Sequence, residues 1–253
     1  MTEHRFHTPE PVELEIKVPV GDVDVETVDG EESLITLDGS EKVLEHFTVE
    51  QHGRRIVVEM KGKKSLGITI QIGDITWGSG GRLRVRVRVP HGSQAVLATA
   101  AADMKLRGRM QTLESKSASG DLVMIGEIER DAVVKTVSGN VRLDRVGGEL
   151  RFTTVSGDVL VRSVGRSVVG KAVSGDVRLE STREGDVVVQ SVSGDIEVGV
   201  EAGTNLDVDA GSVSGDLNSE VPLDREPGEH DGDGPTLVLR GKTVSGDFRV
   251  FRA

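Results

Sequence analysis

The sequence predicts an all-β protein built as a parallel β-solenoid with coils of ~18 residues and an atypical, strand-rich segment capping its N-terminal end. Three observations predict it: a recurring Ser-Gly-Asp motif, alternation of apolar and polar residues, and a shortage of aromatic side chains. The 253 residues include 32 Gly, five Phe, one Trp and no Tyr. A core drawn almost entirely from Val, Leu and Ile is narrow, which favours stacked strands.

The motif recurs at a nearly constant spacing. Successive intervals between its glycines are 19, 18, 18, 19, 21 and 31 residues, and a degenerate copy precedes them at Asp103. The seven glycines are Gly120, Gly139, Gly157, Gly175, Gly194, Gly215 and Gly246. A unit of this length is too short for a helix-containing repeat or for a propeller blade of ~40 residues, but it fits one solenoid coil. A meander with antiparallel strands is the alternative.

Apolar and polar residues alternate on both sides of each motif. Positions three and five after the motif serine are mostly apolar, as in Val159 and Val161, with a mixed column between them. Leu150 and Phe152 alternate in the same way further back in their unit. This period of two predicts two or three short strands per coil, joined by bends.

We interpret Ser-Gly-Asp as a structural corner. Glycine would supply a positive φ at a tight turn, and the Ser and Asp side chains would hydrogen-bond nearby backbone groups locally. A lysine column three residues before the serine is expected to neutralise the aspartates; its members are Lys116, Lys135, Lys171 and Lys242. The alternative is a metal site, in which stacked Asp158, Asp176 and Asp195 hold Ca²⁺.

Both ends depart from the repeat. Residues 1–90 form the predicted capping region, with one short helix within Gly39–Phe47, and residues 91–253 form the solenoid. Residues 61–81, which contain Lys61, Lys63, Lys64 and the single Trp77, are expected to be a mobile loop or a contact site.

The C-terminal part carries two more candidate features. Residues 219–235 are expected to form an acidic loop, in which His230 beside Glu229, Asp231 and Asp233 is a weak alternative divalent-ion site. The last strand carries the apolar side chains Phe248, Val250 and Phe251. They would either plug the end of the solenoid or pair with another molecule in self-association.

Composition narrows the function. A net charge of -11 and a pI of about 5.1 make nucleic acid an improbable partner. No apolar run approaches the ~20 residues that span a bilayer, and the first residues show no signal core, so we expect a cytoplasmic protein. The chain has no cysteine and no Walker, G-x-S-x-G, H-E-x-x-H or dinucleotide motif. It is therefore expected to be non-catalytic and to carry no cofactor.

The run of TVSGDV units from about Pro11 to the C-terminus resembles the bacterial β-strand-repeat family known as putative adhesins, a domain of unknown function frequent in actinobacteria. The resemblance implies a right-handed β-helix-like solenoid, no established activity and no catalytic residues. We expect a scaffold, protein-interaction or self-assembly module. The alternatives are an exported adhesin-like module that binds glycans or surfaces and, third, a glycan-processing enzyme.

Overall fold

The computed structural model describes residues 1–61, 83–221 and 234–253, and almost all of them lie in strands. One short helix, α1 (Glu41–Leu44), falls inside the predicted helical stretch. The strands are β1 (Thr2–His7), β2 (Glu13–Val28), β3 (Glu32–Asp38), β4 (Phe47–His52), β5 (Arg55–Met60), β6 (Arg84–Pro90), β7 (Ser93–Lys116), β8 (Leu122–Ile128), β9 (Ala132–Lys135), β10 (Val141–Val146), β11 (Leu150–Thr153), β12 (Val159–Val164), β13 (Val168–Lys171), β14 (Val177–Thr182), β15 (Gly185–Gln190), β16 (Ile196–Val200), β17 (Asn205–Ser212), β18 (Leu217–Ser219), β19 (Thr236–Thr243) and β20 (Phe248–Arg252).

The repeats form a parallel β-solenoid with two strands per coil, where the alternation predicted two or three. One row of strands runs β7, β8, β10, β12, β14, β16, β20, β18, and the second runs β7, β9, β11, β13, β15, β19, β17. Every neighbour within these rows is parallel, so the meander alternative is wrong. Equivalent residues stack in register, as in Val141, Val159 and Val177.

The core lies between the two rows and is as narrow as its composition suggested. The inward columns of Val, Leu and Ile are almost completely buried. Two of the aromatic rings buried between the rows, those of Phe152 and Phe248, each lie over a position that has no side chain. A Cβ on Gly170 would lie 2.1 Å from the Phe152 ring, and one on Gly241 would lie 1.9 Å from the Phe248 ring. The shortage of aromatic residues therefore follows from the space between the rows.

The order of the last two coils in space is reversed relative to the chain. The coil formed by β19 and β20 lies between β15–β16 and β17–β18, so β17–β18 is the last coil of both rows among the strands that the structure describes. The expectation that the last strand ends the solenoid, with Phe248, Val250 and Phe251 plugging it, is therefore wrong. Phe248 and Val250 are each 2% exposed inside the core, whereas Leu217 in the outer coil is 55% exposed. The more polar coil faces solvent at the end, because a terminal repeat must present a polar outer surface.

The N-terminal region continues this stacking and then closes it. β2 pairs parallel with β7 along most of its length and also with β5 and β6. Antiparallel pairs then complete the two rows: β3 with β6, β1 with β3, and β4 with β5. The N-terminal end of the solenoid therefore finishes in antiparallel strands, whereas the repeats are stacked in parallel.

A buried carboxylate on β2 connects two of these strands. Glu15 is 6% exposed, forms a 2.5 Å ion pair with Lys17 and is hydrogen-bonded by Arg55 of β5. Burial acts to raise the pKa of Glu15, but the hydrogen bonds and charges of Lys17 and Arg55 outweigh it and lower the pKa. Glu15 is therefore held in its charged form.

Some predicted features lie outside the described residues: Lys63, Lys64, Trp77, Glu229, His230, Asp231 and Asp233. In residues 1–61, 83–221 and 234–253, no helix has the length and apolar character needed to cross a membrane.

Candidate functional site: the Ser-Gly-Asp edge

The corner that carries the motif begins with a hydroxyl that the sequence analysis missed. In the coil of Gly157, the Thr154 Oγ1 accepts a 3.0 Å hydrogen bond from the Gly157 N–H and thereby closes a local turn. The same bond recurs at 2.8–3.1 Å in five other coils. The donors and acceptors there are Gly120 with Ser117, Gly139 with Thr136, Gly194 with Ser191, Gly215 with Ser212, and Gly246 with Thr243. The signal was present in the sequence as a Thr or Ser two residues before the motif serine.

The motif serine reaches the neighbouring coil, which corrects the expectation of a local bond. Ser156 Oγ donates to the carbonyl oxygen of Val137 at 3.4 Å, and its backbone N–H donates to the same oxygen at 2.8 Å. Equivalent hydroxyl bonds of 3.1–3.4 Å are made by Ser119, Ser138, Ser174, Ser193, Ser214 and Ser245. Serine therefore ties each coil to the coil stacked on it.

Glycine is required because of close stacking, and the expectation of a positive φ is wrong. The positive-φ glycines of the described chain do not include any motif glycine. Instead, a Cβ on Gly157 would lie 2.0 Å from the carbonyl oxygen of Gly139, and one on Gly175 would lie 2.1 Å from that of Gly157. The glycine backbones stack directly on one another, and any side chain would push the coils apart.

The motif aspartates form a second ladder between coils. Asp158 Oδ1 accepts from the Asp176 N–H at 3.0 Å, and Asp176 Oδ1 accepts from the Asp195 N–H at 2.9 Å. Asn140 occupies the same column, where its amide oxygen accepts from the Asp158 N–H at 3.1 Å. Asp103 accepts from the Asp121 N–H at 3.2 Å, so the degenerate copy joins the ladder.

This ladder gives the aspartates a structural role. One oxygen of Asp158, Asp176 and Asp195 is already committed to a backbone N–H of the neighbouring coil. Within the described chain, no group of three or more His, Cys, Asp or Glu side chains is arranged to hold a metal ion. The geometry therefore explains these carboxylates as backbone acceptors.

The expected pairing of lysines with aspartates does not occur at this edge. Lys116 pairs with Glu114 at 2.5 Å, and among the residues that the structure places, no ion pair joins Lys135, Lys171 or Lys242 to a motif aspartate. Each lysine is the last or the second-last residue of a strand in one row, and the aspartates precede the strands of the other row. The two columns therefore lie on opposite sides of the corner, and the backbone N–H groups stabilise the carboxylates.

Between these columns lies an exposed row of valines, which we call the valine stripe. Each member precedes a motif serine, and each is 42–81% exposed. In spatial order the stripe consists of Val137, Val155, Val173, Val192, Val244 and Val213. At a coil spacing of about 4.8 Å the stripe is roughly 24 Å long. Sequence reasoning grouped these valines with the corner and missed that they face solvent.

Together, the stacked coils and the motif edge define the class: a parallel β-solenoid repeat protein. The family described as Toastrack DUF4097 matches residues 13–250, and the chain belongs to that family. This agrees with the resemblance to an adhesin-like family of unknown function.

Solved structures share the fold at low identity. A putative adhesin from Bacteroides fragilis NCTC 9343 is 10% identical, with a TM-score of 0.52 over 98% of this chain and 96% of its own. A putative lipid binding protein from Parabacteroides distasonis ATCC 8503 is 14% identical, with a TM-score of 0.57 over the same shares. No curated protein matches the chain. The family description and the names of these two proteins specify no enzymatic activity.

Proposed function

We propose that this chain is a non-enzymatic interaction module that holds a protein partner along the valine stripe. The observation that carries the proposal is the exposure of six valines in register at one edge of the solenoid. The corner is closed by Thr, Ser, Gly and Asp through hydrogen bonds, and Val155 and Val173 take part in it only through their backbones. A contiguous exposed apolar surface rimmed by polar residues is typical of a protein contact site.

The size of the stripe sets how much free energy its burial can contribute to binding. Full burial of a valine is worth about 1.5 kcal/mol, so covering six half-exposed valines would contribute about 4–5 kcal/mol. That is comparable to the lower estimates of the cost of association, so further contacts are needed for stable binding. The lysines on one side and the aspartates on the other offer a polar rim for them. We therefore expect a partner whose apolar surface carries charges of both signs at its borders.

Site-specific photo-cross-linking in the source cells tests this proposal. A photoreactive residue replaces Val173 in the stripe or, as the matched control, Val169, an outward valine of β13 that is 38% exposed. A discrete protein adduct is expected from position 173 and not from position 169. It should disappear when Val155→Asp is added, because the charge interrupts the apolar surface. Equal adduct patterns at the two positions would rule out the stripe as the contact site.

The proposal includes a location: this module would bind its partner in the cytoplasm. The alternative is an adhesin-like module that binds glycans or surfaces outside the cell. Cell fractionation separates the two: recovery of the protein only outside the cytoplasm would favour the alternative.

A further inference from the structure

Because the order of the last two coils is reversed, the last coil of the chain lies in a slot between two earlier coils. Both coils that form the walls of this slot precede the last coil in the sequence. We call β19–β20 the inserted coil and β17–β18 the terminal coil. The inserted coil pairs on one side with β15–β16 and on the other with the terminal coil. The aspartate ladder passes through it, since the Asp247 N–H donates to Asp195 at 2.8 Å and Asp247 accepts from the Asp216 N–H at 2.9 Å.

The contacts across the slot are specific. Phe251 of the inserted coil covers Gly199 of β16, where an added Cβ would lie 2.9 Å from the ring. The guanidinium of Arg178, two coils away, lies 5.3 Å from the centre of the same ring. Phe248 is buried beside Ile196, its partner in register. Phe248, Val250 and Phe251 thus hold the inserted coil in its slot.

The connection to the inserted coil is much longer than this corner requires. Residues 220–235, which join β18 to β19, number 16, whereas residues 147–149 and 165–167 make the equivalent corner in three. A connection of 16 residues can span about 50 Å when extended, so its length permits the inserted coil to reach the slot of a second copy. The slot is therefore defined by its walls, and any copy of the inserted coil that reaches it finds the same partners.

We propose that the inserted coil is exchangeable between two copies of this chain, so that each copy fills the slot of the other in a reciprocal dimer. Exchange keeps the hydrogen bonds and buried contacts of the monomer, since the slot and its occupant are unchanged. The fraction of dimer should then increase with the protein concentration that is present during folding. This self-association does not involve the valine stripe. The apolar residues of the last strand would form the contact between the two copies.

Cross-linking of full-length chains tests the exchange, because the protein has no native cysteine. Glu197 of the slot wall and Arg249 of the inserted coil are partners in register, with side chains 28% and 48% exposed. Glu197→Cys and Arg249→Cys chains are mixed, unfolded together, refolded and treated with a short bismaleimide. The control mixture pairs Glu197→Cys with Arg151→Cys, an exposed position on β11 in the other row. A chain carrying both Glu197→Cys and Arg249→Cys shows that the two thiols are within reach in the monomer.

Exchange predicts a covalent product of twice the 27.0 kDa chain mass, several-fold above the control mixture and increasing with protein concentration during refolding. It should persist when Val155→Asp is added, which distinguishes it from association through the stripe. A yield equal to that of the control, while the doubly substituted chain reacts within its monomer, would overturn the proposal.

Discussion

Replacing Gly157 by alanine tests whether the motif glycines are needed for close stacking. The new Cβ would lie 2.0 Å from the carbonyl oxygen of Gly139, whereas ordinary contact begins at 3.4 Å, so the two coils must separate locally by about 1.4 Å. Overpacking of a tight core costs about 1–3 kcal/mol. The separation also stretches the bonds from Ser156 to Val137 and from Asp158 to Asn140, each worth about 1 kcal/mol.

The expected loss of stability from Gly157→Ala is therefore about 3–5 kcal/mol. For a chain of this size, that lowers Tm by about 6–20 °C in thermal unfolding followed by circular dichroism. The matched control is Gly211→Ala, where no atom lies within 4 Å of an added Cβ and φ is not positive. Its Tm should change by no more than about 4 °C, because Gly→Ala at a compatible site has an effect of about 0.4–1 kcal/mol.

Two outcomes would refute this reasoning. One is a Tm for the Gly157→Ala variant that equals the Tm of the Gly211→Ala variant. The other is a clear advantage of Gly157→Asn over Gly157→Ala, because asparagine tolerates a positive φ and would be the better replacement only if φ were the requirement.

Two further predictions concern carboxylates with defined partners. Asp176→Ala removes the acceptor for the Asp195 N–H and should lower the free energy of unfolding by about 1–2 kcal/mol in urea titrations, whereas Asp176→Asn keeps an acceptor oxygen and should lose less than half as much; equal losses would contradict the ladder. Glu15→Gln should cost about 1–3 kcal/mol at pH 7, because it weakens the bonds from Lys17 and Arg55. Since the folded state lowers the pKa of Glu15, its contribution is complete above the unfolded-state pKa and is lost as pH falls through the folded-state value. The gap between wild type and Glu15→Gln in urea midpoints should therefore narrow from pH 7 to pH 3, and a constant gap would contradict this assignment.

The sequence predicted those features that are encoded in the local residue pattern of each coil. The alternation around Val159 and Val161 indicated strands, and the spacing of the motif indicated coils, because every repeat carries the same local pattern. The corner was located correctly for the same reason. Its hydrogen bonds were assigned wrongly within a coil, since nothing in a single repeat shows that Ser156 reaches Val137.

The exposed valines show a second limit of the sequence. A valine before six of the seven motif serines fits the alternation equally well whether it faces the core or solvent. Only the path of the backbone at the corner turns Val155 and Val173 outward.

The sequence by itself therefore determined the coil, the position of its corner and the narrow aliphatic core. The tertiary structure decided how one coil lies on the next. It showed that glycine serves close backbone contact, and it placed the coil of Phe248 inside that of Leu217, against the order of the chain. The physical reason is that both coils carry the same motif and fit the same wall, so local sequence cannot order them. The difference between them is expressed only in the assembled solenoid, where the more apolar coil is covered on both sides and the more polar coil faces water.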